Sequence, residues 1–92
     1  LKLKRNQVEA ELKKVGGWKL RGDKISRLYL FEDFMQALRF INRISQLAEA
    51  MNHHPDIDIR YNKVRLVLTT HDEGGLTMKD FQLAEKINRA KS

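Results

Sequence analysis

The chain contains no cysteine, which excludes a disulfide framework, a thiolate metal site and a cysteine nucleophile. Long apolar runs are missing as well. The longest is Leu28-Tyr29-Leu30-Phe31, far below the ~20 residues of a membrane span. Leu1-Lys2-Leu3-Lys4-Arg5 is not followed by the apolar stretch of a signal peptide, so a cytoplasmic location and no membrane partner are expected. Gly16-Gly17 and Gly74-Gly75 are too short and wrongly spaced for a phosphate-binding or dinucleotide fingerprint. Low-complexity tracts are absent, and the only proline is Pro55.

What is present suits a folded chain. Ninety-two residues, 41% of them hydrophobic and 33% charged, fit one domain over residues 1–92 and argue against disorder. The net charge is +6, a balance that raises nucleic acid as a partner. Its placement argues otherwise. Residues 1–31 hold nine bases and three acids, the whole surplus, while residues 32–92 hold nine of each. Basic residues at the start read as a solvated surface, and nucleic acid is not an expected partner.

Periodicity supplies the elements. Asn6-Gln7-Val8-Glu9 has the form of a capping box, Val8, Leu12 and Val15 recur at helical spacing, and Gly16-Gly17 ends the first helix. Trp18 to Leu20 and Ile25 to Phe31 form a hairpin about Arg21-Gly22-Asp23-Lys24. Leu28 and Leu30 fall on the strand face opposite Ile25 and Tyr29, so one face is free to meet a partner subunit. Asp33 caps the longest helix, whose apolar stripe runs through Phe34, Leu38, Ile41, Ser45 and Ala48, flanked by Ala37, Ile44, Leu47 and Met51. Pro55 stops it between Met51 and His53.

Two alternating strands follow, from Ile57 to Tyr61 and from Val64 to Thr70, with Asn62-Lys63 as the expected turn. Paired positions would then sum to 125, setting Tyr61 opposite Val64, Ile59 opposite Leu66 and His54 opposite His71. Thr77-Met78-Lys79-Asp80 opens the last helix as a second capping box, with Phe81, Ala84 and Ile87 inward. The order is α-β-β-α-β-β-α, an α+β fold.

All three histidines, His53, His54 and His71, converge on one end of the second hairpin in this reading. Glu49 precedes His53 by four positions and would orient its ring if the helix continued that far. Histidine both donates and accepts protons near neutral pH, which makes acid–base chemistry the leading reading. Two alternatives stay open: a tris-imidazole metal site, although adjacent side chains such as His53 and His54 usually diverge, and a pair of helix-end histidines with an exposed third. Trp18 could stack on a flat heterocycle, but a lone strand tryptophan is more often core.

At Glu49-Ala50-Met51-Asn52-His53-His54-Pro55, Tyr61-Asn62-Lys63-Val64, Thr70-His71-Asp72 and Gly75-Leu76-Thr77-Met78-Lys79-Asp80, the chain resembles the pterin-4a-carbinolamine dehydratases. The likeness extends upstream through Gly17-Trp18, Phe31, Asp33-Phe34, Ala37 and Phe40. It implies a four-stranded antiparallel sheet covered on one face by three helices, assembled as a homodimer or homotetramer. It also implies loss of water from a 4a-hydroxytetrahydropterin to give the quinonoid dihydropterin, recycling tetrahydrobiopterin for an aromatic amino-acid hydroxylase as pathway partner. No metal or other cofactor is implied. By the resemblance, His53, His54 and His71 are catalytic, and Pro55, Thr70, Asp72 and Glu73 line the pterin pocket. Glu49 and Asp80 fall on carboxylate positions beside it, and Trp18 joins the candidate pterin contacts. Asn52 departs from the family pattern, standing where an aspartate is common.

Overall fold

A computed structural model describes residues 1–91. The elements are α1 (Arg5–Leu12), β1 (Lys19–Arg21), β2 (Lys24–Leu30), α2 (Phe34–Met51), β3 (Asp56–Arg60), β4 (Lys63–Leu68), a single 3-10 turn (His71–Glu73) and α3 (Met78–Lys91). The four strands form one antiparallel sheet in the order β1-β2-β4-β3. Three helices and this sheet reproduce the α-β-β-α-β-β-α order.

The sheet has one buried face because β2 and β4 alternate. Ile25, Tyr29, Val64, Leu66 and Leu68 are buried beneath the helices, whereas Leu28, Leu30 and Arg65 point outward and are exposed. Fully burying one such aliphatic or aromatic side chain contributes ~1.5–3 kcal/mol. Phe40 sits at the centre, its ring centroid 4.8 Å from Tyr29 and 5.0 Å from Phe31. Ile25, Phe40, Ile44, Leu66 and Leu68 have no solvent exposure.

Four local expectations need correction. The buried line of α2 is Ala37, Phe40, Ile44 and Ala48; Phe34 and Ser45 are exposed. The stripe is rotated toward Phe40 because this large ring meets Tyr29 and Phe31. The first helix starts at Arg5, with the Lys4 backbone N–H donating to Gln7 Oε1 at 2.8 Å. The Leu3 N–H donates to the Leu76 carbonyl at 2.8 Å, which fixes the entry to α1 ahead of Asn6. That helix also ends at Leu12, before Gly16-Gly17, because Lys14 and Val15 bond three residues back in tight turns.

The fourth concerns register. Arg60 pairs with Lys63, Ile59 with Val64 and Ile57 with Leu66, so paired positions sum to 123. The turn is Tyr61-Asn62. Tyr61 takes the left-handed conformation at φ 54, and Asn62 is held against the end of β2: its Nδ2 donates to the Phe31 carbonyl at 2.8 Å and its own carbonyl accepts from Phe31 at 2.9 Å. A two-residue shift keeps every side chain on its face. It does remove the His54–His71 pairing, since β3 begins at Asp56 and β4 ends at Leu68.

Candidate active site

The site is built where α2 turns into β3 and where β4 reaches α3. Asn52 ends α2 in the left-handed conformation at φ 50, a region that asparagine tolerates better than most residues. The His53 N–H bonds back to the Ala48 carbonyl at 3.0 Å. The helix therefore stops before His53, and the spacing that would have brought Glu49 to it no longer applies. His53 turns inward and is 9% exposed; His54 turns outward.

His53 meets a carboxylate from the other end of the chain. Its Nε2 donates to Asp80 Oδ1 at 2.6 Å, and Asp80 is 0% exposed. Asp80 Oδ2 accepts from Thr70 Oγ1 at 2.8 Å and from the Thr77 backbone N–H at 2.9 Å. The two threonine hydroxyls share a bond of 2.9 Å. The capping-box motif thus serves twice, since the acid that satisfies the first turn of α3 also holds a histidine. A carboxylate only accepts, so the proton on this bond belongs to His53 Nε2, and Nδ1 is left for other chemistry.

Glu49 engages His54 instead, with Oε2 2.5 Å from Nε2, and both side chains are largely exposed. With Pro55, Ile44, Ala48 and Ile57 they line a cavity of about 180 Å³. His71 opens the 3-10 turn and is exposed. Among the described residues its side chain has no hydrogen-bond or ion-pair partner, and no bond joins any two histidines. Thr70 pairs with Gly75 across the base of this loop through bonds of 3.0 and 3.3 Å. Asp72 and Glu73 follow His71 on the exposed loop, and Gly74 at φ 74 lets it turn back.

Trp18 lies apart from this cluster. It is 5% exposed in the core, and its Nε1 donates to Asn88 Oδ1 at 2.9 Å, which leaves no open ring face for a ligand. The same oxygen accepts from Arg27 at 2.9 Å and from the Tyr29 hydroxyl at 2.5 Å. Thr77 is the site residue that a search for titratable groups passes over. Its signal was the capping box itself. Among the described residues no group of three His, Asp or Glu side chains is placed to hold a metal ion, and no helix is long and apolar enough to cross a membrane.

A helix-covered antiparallel sheet whose helix ends hold two histidine–carboxylate pairs defines the class of protein as α+β. Known proteins narrow that class. The family model for pterin 4 alpha carbinolamine dehydratase matches residues 1–90. A protein of Sulfurisphaera tokodaii provisionally named pterin-4-alpha-carbinolamine dehydratase is 48% identical over 87 residues, 95% of this chain and 94% of that protein. The crystal structure of a transcriptional coactivator/pterin dehydratase from Brucella melitensis superposes with a TM-score of 0.96 at 32% identity, covering 100% of both chains. A pterin dehydratase-like protein identified as a RuBisCO assembly factor in the alpha-carboxysome shares the fold, with a TM-score of 0.65 at 16% identity over 79% of this chain and 84% of its own. The chain belongs to the pterin-4a-carbinolamine dehydratase family.

Proposed function

We propose that this protein is a 4a-hydroxytetrahydropterin dehydratase that works by histidine acid–base catalysis, without a metal or redox cofactor. The observation that carries the reading is the buried Asp80 carboxylate, which fixes His53 through Nε2 and is itself held by Thr70 and Thr77. The reaction breaks the C4a–O bond and removes the proton from N5. An acid must protonate the departing hydroxyl, so that water leaves, while a base takes the N5 proton as the C4a=N5 bond forms. Each transfer is worth roughly 10²- to 10⁴-fold in rate.

In this reading His53 and His71 act as the alternating general acids. Asp80 fixes the ring of His53, and His71 is exposed to exchange protons with water. His54 positions the substrate and accepts the N5 proton, with Glu49 setting its tautomer. Pro55, Thr70, Asp72 and Glu73 contribute the pocket wall, with backbone groups reading the pyrimidinone edge. The product returns to the tetrahydrobiopterin cycle of an aromatic amino-acid hydroxylase. The enzyme works in the cytoplasm as a homodimer or homotetramer, for which exposed Leu28 and Leu30 on the open sheet face supply apolar contact.

Replacing His53, His54 or His71 with Ala should each lower turnover of the carbinolamine, by roughly 10²-fold for the strongest. A triple variant that dehydrates the substrate at the parental rate would end this reading.

A further inference from the structure

A cavity of about 690 Å³ adjoins the candidate site on the α3 side, and its wall includes Thr70 and Thr77, the two residues that hold Asp80. Three lysines open onto it: Lys2 and Lys4 from the segment before α1, and Lys79 from the first turn of α3. Asp72 and Glu73 also line it, yet among the described residues none of the three lysines has a carboxylate within 4.0 Å. Three lysines against two carboxylates leave the lining with an excess of positive charge, which a bound anion would offset.

The lysines are held there by the fold. The Leu3 backbone is tied to Leu76 by a 2.8 Å bond. The Lys2 stem lies so close over Gly75 that a β-carbon at that position would come within 2.9 Å of it. The absence of a side chain at Gly75 leaves room for the Lys2 stem in this position. The first turn of the 14-residue α3 borders the same space and carries Lys79 to it.

We infer that Lys2, Lys4 and Lys79 form a subsite for an anionic group, such as a phosphate monoester, on the side chain of the pterin. The inference rests on the dehydratase reading and adds the charge class of the preferred substrate. Contacts with exposed ammonium groups are individually weak. Together they would favour the anionic ligand by roughly ten-fold, and the preference would decline with salt as the screening length shortens.

The test is calorimetric binding of two stable probes to the intact protein, a 7,8-dihydropterin with a neutral polyol side chain and its phosphate monoester. Inorganic phosphate serves as a competitor. The monoester should bind roughly ten-fold more tightly, and the ratio should fall toward one in Lys2→Gln/Lys4→Gln/Lys79→Gln and at high salt. Phosphate should weaken the monoester more than the polyol. If phosphate alone binds while the two pterins bind equally, the site takes a free anion and the substrate assignment is wrong. Equal affinities in the parent, a ratio that survives the triple substitution, or no binding of either probe would also overturn it. Failure of the dehydratase reading looks different, because a 4a-hydroxytetrahydropterin would then not be dehydrated, whatever the binding ratio of the two probes.

Discussion

At the scale of single residues, two groups each gather three donors, the buried Asp80 carboxylate and the half-buried Asn88 amide. Asp80 has no exposure and three donors. Asp80→Asn keeps the shape but supplies an NH₂ where a donor already points. It should lower dehydratase turnover by roughly 10²-fold, while Asp80→Glu should fail to restore it because a longer side chain at a fully buried position must displace its neighbours. Asn88 Oδ1 accepts from Trp18, Arg27 and Tyr29, and burial pushes the Tyr29 phenol above its ordinary value, opposed by the nearby Arg27 guanidinium. A raised phenol pKa means that the folded state holds its proton longer than the unfolded chain. Its contribution is fully present below about pH 10, the ordinary phenol value, and is lost as pH rises through the folded value. Thermal unfolding should therefore fall off more steeply above about pH 10 in the parent than in Tyr29→Phe; parallel curves would refute the assignment.

At the scale of elements, the junction after α2 decides where the two adjacent histidines go. Asn52 in the left-handed conformation sends His53 toward α3 and leaves His54 with Glu49. Asn52→Gly should be tolerated in stability and turnover, whereas Asn52→Ile should cost ~1–2 kcal/mol in chemical denaturation and reduce turnover by displacing both rings. Much of this was legible beforehand. Asp33, Pro55 and the alternation of β3 and β4 mark their elements directly, because caps, proline and period-two patterning act locally. The register was not, since Asn62 is committed to Phe31, a contact 31 positions away, and Tyr61 takes the turn conformation instead. For the same reason the partner of His53 was misjudged. Glu49 is near in sequence, but Asp80, 27 positions on, is brought in by tertiary packing. The motifs named the candidate residues, of which Trp18 lies apart in the core, while the pairings among the others required the fold.

At the scale of the whole molecule, the surplus of bases and the open apolar face come from the same stretch of chain. The surplus lies in the first 31 residues, and within them Leu28 at 43% and Leu30 at 60% are exposed on the open face of the sheet. If that face joins copies of the chain, sedimentation at micromolar concentration should give a multiple of the chain mass, and Leu28→Asp/Leu30→Asp should shift it toward the monomer without changing the circular dichroism spectrum. The strand order β1-β2-β4-β3 bears on how such association stops. It leaves β1 and β3 as the two borders, each with a row of backbone donors and acceptors that a further strand could extend. β1 offers only three residues, with Lys19 and Arg21 flanking Leu20, and β3 interleaves Ile57 and Ile59 with Asp56, Asp58 and Arg60. Any incoming strand would have to bring charges into register with these at nearly every second position. Ribbon-like growth of the sheet into fibrils is thereby discouraged at both borders, and the chain can carry an apolar face without being prone to amyloid.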